Sequence, residues 1–148
     1  MKHLTRIWMV CTLLIASYHI QAQTAKQSRP HLFKNVSQKI IAPVSELDKA
    51  FHTPEGSNLE IKMNNFLFRG VVTSSIKRYD NLYSVIIKSP SLNNAVFALS
   101  KRINDDKSVT YVGRIINEKF ADGMELVQER DGSYTMNKIQ TEFLLQDF

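Results

Sequence analysis

The chain has 148 residues, a formal net charge of +5 and one cysteine. A lone cysteine allows no internal disulfide, so a fold of this length has to rest on one hydrophobic core. The cations Lys77-Arg78 and Lys101-Arg102 are isolated pairs, too sparse for the basic stripe of a nucleic-acid-binding protein.

Residues 1–22 read as a cleavable signal peptide. Lys2 and Arg6 supply a positive start, an apolar run extends from Ile7 to about Ala16, and Ala22 is the small residue before the cut. About ten to twelve apolar residues fall short of the roughly 20 that a membrane-crossing helix needs. Cys11 lies inside that run, and Trp8, Met9 and Val10 before it include no small residue, which argues against a lipid anchor. Cleavage at Ala22 leaves about 126 residues, the size of a single domain. It also removes the thiol and lowers the net charge to +3. A secreted or periplasmic location is expected, with no membrane span after cleavage.

Residues 23–32 (QTAKQSRPHL) are polar and aperiodic and are expected to form a flexible leader. Residues 33–148 are expected to form a single β-rich domain. Asn35-Val36-Ser37 matches the N-glycosylation acceptor pattern, which is short enough to arise by chance. Val44, Leu47 and Phe51 fall at i, i+3 and i+7 and predict a short amphipathic helix. Thr53-Pro54-Glu55-Gly56-Ser57 breaks it.

From Leu59 the period changes to alternation. Six strands are expected, with one face carrying Phe66, Phe68, Val72 and Ile76; then Tyr83, Val85 and Ile87; then Ala95, Phe97, Leu99 and Ile103. Val109, Tyr111, Gly113 and Ile115 follow, then Met124 and Leu126, then Tyr134 and Met136. Short turn-rich breaks between them favour an antiparallel meander.

Loop lengths set the register. A three-residue loop Arg130-Asp131-Gly132, with Gly132 left-handed, would pair Leu126 with Met136 and Gln128 with Tyr134. A loop Asp105-Asp106-Lys107 would set Ile103 beside Val109 and Leu99 beside Gly113. A four-residue loop Arg78-Tyr79-Asp80-Asn81 would set Ile76 beside Tyr83.

The second face carries Leu67, Val71, Ile86, Val96, Ala98, Val112 and Ile116, too apolar to face water along its whole length, so a cover is expected. The Val44–Phe51 helix and the segment Ile139–Phe148 are the candidates. The fold class is therefore mainly β: an antiparallel six-strand meander, as a curled sheet or a small barrel, with one short N-terminal helix packed on it. Arg69 and Arg114 lie on this second face and would either pair with a carboxylate or extend their stems along the surface.

Chemistry is sparse. After signal cleavage only His31 and His52 remain, with no metal-ligand spacing, and Asp105-Asp106 lacks the alternating oxygens of a calcium loop. There is no nucleophile elbow and no phosphate-cradling glycine loop. The carboxylates Asp80, Glu118, Asp122, Glu125 and Glu129 assemble no visible set of roles; Asp80 and Asp122 read as turn residues. No catalytic, cofactor-binding or metal residue is assigned. Tyr79 and Phe120, placed in loops at opposite ends of the meander, are the candidate partner contacts.

The expectation is an exported, non-enzymatic domain that contacts another protein, without cofactor or nucleic acid. Alternatives are an inhibitor or pro-domain-like helper of an exported peptidase, or a β domain enclosing a lipid or small ligand. Open strand edges would offer sites for strand addition.

Overall fold

Alternating apolar residues build almost all of the architecture. The computed structural model describes residues 29–141; the expected signal peptide, the first part of the leader and residues 142–148 lie outside the described residues. The elements are β1 (Lys39–Ile41), α1 (Val44–Lys49) continuing as a 3₁₀ turn (Ala50–His52), β2 (Asn58–Met63), β3 (Phe66–Tyr79) and β4 (Leu82–Ser89). A 3₁₀ turn (Pro90–Leu92), β5 (Ala95–Ile103), β6 (Val109–Ile116), β7 (Asp122–Gln128) and β8 (Tyr134–Gln140) follow.

The strands form one antiparallel sheet in the order β1-β8-β7-β6-β5-β4-β3-β2, curled into a half-barrel. The mainly β class holds, with eight strands rather than six. The chain lays β1 on one edge, crosses by α1 to the opposite edge, and meanders back from β2 to β8. Of the two strands missed, β1 is only three residues long, too short for a period to register. In β2, Leu59, Ile61 and Met63 alternate as in any half-buried strand. The two-residue turn Asn64-Asn65 separates it from β3, with Met63 opposite Phe66 and Asn64 at φ 50°. Asparagine tolerates that left-handed backbone and so ends a strand without glycine or proline.

Two of the three expected registers hold. Leu126 pairs with Met136 and Gln128 with Tyr134 around a left-handed Gly132. Ile103 pairs with Val109 and Leu99 with Gly113. The third is corrected: Ile76 pairs with Ser84, and Tyr79 belongs to β3, opposite Leu82. The register shifts between Val72 and Ser74 and again between Lys77 and Tyr79. An inserted residue reverses which face later side chains occupy. Ile76 therefore leaves the core face that Phe68 and Val72 share, and is 43 % exposed. The shift falls where β3 changes partners, since β2 pairs with Phe66–Val71 and β4 with Val71–Tyr79.

The concave face is packed with Phe68, Phe97, Ile61, Ile87, Leu99, Ile115, Met124 and Met136, all fully buried. Phe68 and Phe97 meet edge to face at 5.5 Å. At one end α1 and its 3₁₀ extension insert Leu47 and Ala50 into this core, and Phe51 tilts against Tyr111. At the other end Phe33 is fully buried and meets Phe66 edge to face at 6.0 Å.

Thus the helix covers the concave side, not the second face as one reading of the sequence had it. Of the other proposed cover, Ile139 and Gln140 belong to β8 and residues 142–148 lie outside the described residues. A six-residue helix has little stability of its own, so its place is set by this packing.

Candidate interaction surface

Three places gather polar or reactive side chains. At the helix end, Asp48 Oδ1 accepts hydrogen bonds from Lys101 Nζ at 2.5 Å and from the Tyr111 hydroxyl at 2.9 Å. The Lys101 hydrogen bond holds the Asp48 carboxyl below its ordinary range, against partial burial that pushes it up. Burial first, then the hydrogen bond to Asp48, pushes the Tyr111 phenol well above its ordinary value. The Tyr111 N–H donates to the Tyr134 hydroxyl at 3.1 Å. The first two contacts pin α1 to β5 and β6, and the third ties β6 to β8. His52 lies at the margin, its Nδ1 3.0 Å from the Asp48 carbonyl oxygen and its side chain 72 % exposed.

At the opposite end Asp122 begins β7 and is fully buried. Its two oxygens accept the backbone N–H groups of Leu32 at 2.6 Å and Phe33 at 3.0 Å, and His31 Nδ1 lies 3.6 Å from Oδ2. Ala121 N–H donates to the Pro30 carbonyl, and Arg29 Nη1 donates to the Glu118 carbonyl. The turn role expected for Asp122 is corrected. Its partners are some 90 residues away, and a local sequence signal does not show such a contact.

The other carboxylates lie apart. Asp80 pairs with Lys77 at a hairpin tip, Glu125 with Arg114, and Glu129 with Lys39. Arg69 and Arg114 do take carboxylate partners, Glu60 and Glu125, each the residue directly across the strand pair, and both pairs are exposed rather than buried. Among the described residues no group of three or more His, Cys, Asp or Glu comes together. Tyr79 is 71 % exposed at the end of β3, whereas Phe120 is half-buried in the β6–β7 connection. The meander puts them at opposite ends, so they form no common patch.

The third place is the convex face. A groove of about 980 Å³, open to solvent, crosses β5 and β6. Val96, Ala98, Val112 and Ile116 contribute apolar surface, and Lys88, Asn93, Asn94, Asn117, Glu118 and Lys119 supply polar groups. Val112 is 62 % exposed. The sequence marked this face as apolar and in need of a cover, but did not identify it as the site, because each residue in it alternates with a core residue and gives only a period-two signal. The groove exists because α1 went to the other side of the sheet.

The edge formed by β2 is less available. On β2 the Lys62 N–H donates to the Glu46 carboxylate at 2.9 Å and the Glu60 carbonyl accepts from Lys49 Nζ at 2.7 Å, so the helix occupies part of that edge. The two register shifts in β3 lie along the length that β2 leaves unpaired.

Compared with known proteins, the chain matches no family model, no curated protein and no solved structure.

Proposed function

We propose that this chain is an exported, non-enzymatic binding domain that contacts another protein through the convex groove over β5 and β6. The observation that carries the reading is Val112, 62 % exposed on a sheet face that also presents Val96, Ala98 and Ile116, with Ser100 directly opposite it and Arg114 two residues on. Apolar residues rimmed by amides and charged groups have the composition of a protein-binding patch. The catalytic alternative has less support. His52 sits outside the groove, paired with Asp48, and among the described residues Glu118 is the one acidic residue that lines it.

Affinity capture from the native exported fraction tests the reading, with tagged wild-type chain beside Val112→Glu. One saturable protein retained by the wild type and lost by the variant is the expected result. Equal retention by both, or no protein retained by either, overturns it. A peptidase as the retained protein would give the domain an inhibitor or helper role.

A further inference from the structure

The convex groove has a narrow floor. On β5, Val96, Ala98 and Ser100 point to the same side in succession, and the side chains of Ala98 and Ser100 are short. The register sets Ala98 between Ile86 on β4 and Arg114 on β6, and Ser100 beside Val112. Longer side chains thus flank Ala98 on both sides and Ser100 on one. One end of this line is walled. Asn93 and Asn94 take successive left-handed conformations, at φ 53° and 64°, and the Asn93 carbonyl accepts from Asn117 Nδ2 at 2.7 Å. Asparagine tolerates that backbone, and the bond past the end of β5 holds the wall in place before anything binds.

Charge is unevenly placed around the line. Lys88 lies opposite Val96, and Lys119 lies in the connection after β6, so both belong to the walled end, where Glu118 is the opposing charge. Arg102 is exposed on the same face, one step along β5 beyond Ser100. Arg114 is already engaged by Glu125. Among the described residues Lys88, Lys119 and Arg102 form no ion pair. Uncommitted cations therefore stand at both ends of an apolar floor and outnumber the one free carboxylate.

We propose that the groove receives an extended acidic peptide of a partner protein. The peptide lies along β5, with alternate apolar side chains over Val96, Ala98 and Val112 and with carboxylates at its ends held by Lys88, Lys119 and Arg102. The proposal rests on reading the groove as a protein-binding surface and names the chemistry of the segment bound. Residues i and i+2 of an extended chain are about 7 Å apart, the same step that separates Val96, Ala98 and Ser100. An anionic bilayer carries the same charge, but a plane meets a convex sheet without entering a groove.

The test selects random-sequence peptides of about seven residues, enough to span about 23 Å, on the immobilised chain and sequences the retained pool. The wild type should enrich Asp and Glu over the input, with apolar residues at alternate positions, and Lys88→Glu/Lys119→Glu should turn the preference to Lys and Arg. A peptide from the wild-type pool should bind that double variant about tenfold more weakly, the effect of losing two exposed ion pairs, and should weaken with added salt. Both lysines are exposed and uncommitted, so equal melting temperatures exclude a loss of fold. A pool lost in Val112→Glu and unchanged by the lysine reversal would overturn the acidic assignment and leave the groove as a binding surface. A pool indifferent to Val112→Glu would overturn the proposal by placing the peptides elsewhere. No enrichment would overturn it too, and capture with Val112→Glu then decides by itself whether the groove holds a protein. Sedimentation of the chain with phosphatidylglycerol vesicles, without peptide enrichment, would overturn it in favour of a bilayer.

Discussion

Asp122 and Phe33 are joined across 89 residues of sequence: the Phe33 N–H donates to Asp122 Oδ2 at 3.0 Å, and both residues are fully buried. With Oδ1 taking the Leu32 N–H, one carboxylate satisfies two successive amides and closes the end of the half-barrel opposite the helix. Phe33 enters the core because its backbone can be buried there without an unpaired donor.

Replacing Asp122 by Asn should therefore destabilise the domain by about 2 kcal/mol, since an amide NH₂ would face a donor where an oxygen now accepts. Urea unfolding of the two chains measures this. A loss under about 0.5 kcal/mol, the usual scatter of surface changes, would show that the clamp contributes little.

Two hairpin loops carry the same device with different residues at the strained position. Asp106 Oδ1 accepts from the Ser108 N–H and hydroxyl at 2.9 and 2.6 Å, as Asp131 Oδ1 does from Ser133 at 3.0 and 2.7 Å. Between them stand Lys107 at φ 66° and Gly132 at φ 84°. A Cβ costs about 1–2 kcal/mol in that conformation, whereas glycine costs roughly 0.5–1 kcal/mol in lost chain entropy. Lys107→Gly should raise stability by about 0.5 kcal/mol and Gly132→Ala should lower it by about 1 kcal/mol. Thermal melts of both variants give the two signs.

Gly113 faces Leu99 on the concave side, where an added Cβ would lie 2.9 Å from the Ala98 carbonyl oxygen as well as from Leu99 and Phe97. The carbonyl belongs to the neighbouring strand and cannot rotate away. Gly113→Ala should cost about 2–3 kcal/mol by overpacking, read as a fall in the urea midpoint.

The helix pin has a pH signature at each extreme. Asp48 has its folded-state pKa below its ordinary value of 3.8, so its contribution is present above about pH 4 and is lost as pH falls through the folded value. The stability gap between wild type and Asp48→Asn should therefore shrink on acidification from pH 5 to pH 2.5. Tyr111 is displaced upward from 10.0, so its contribution is complete below about pH 10 and is lost as pH rises. Tyr111→Phe should remove part of the alkaline decline. Unfolding free energies across both ranges check the pair, and parallel curves would contradict it.

Much of this architecture follows from local chemistry. The turn residues Asp131-Gly132 and Asp105-Asp106 set two registers, because loop length and left-handed tolerance act within five residues. Val44, Leu47 and Phe51 marked the helix by their spacing. The strand faces from Phe97 to Met136 followed from a period of two. The apolar character of the convex face was legible in the same way, residue by residue.

Other features were decided only when distant segments met. The sequence Val72-Thr73-Ser74 carries no mark of a bulge; the register shifts there because β3 leaves β2 and takes up β4, and the shift sends Ile76 to the surface. Asp122 has the residue type of a turn and the role of a clamp, since the amides it binds arrive from 90 residues earlier. The side of the sheet that α1 would cover was equally undetermined, because both faces are apolar and a helix of six residues takes its place from its contacts. Leu47 and Ala50 went to the concave core, where the curl of the sheet surrounds an apolar side chain on several sides. A convex face offers contact on one side only, and so Val112 was left in the open.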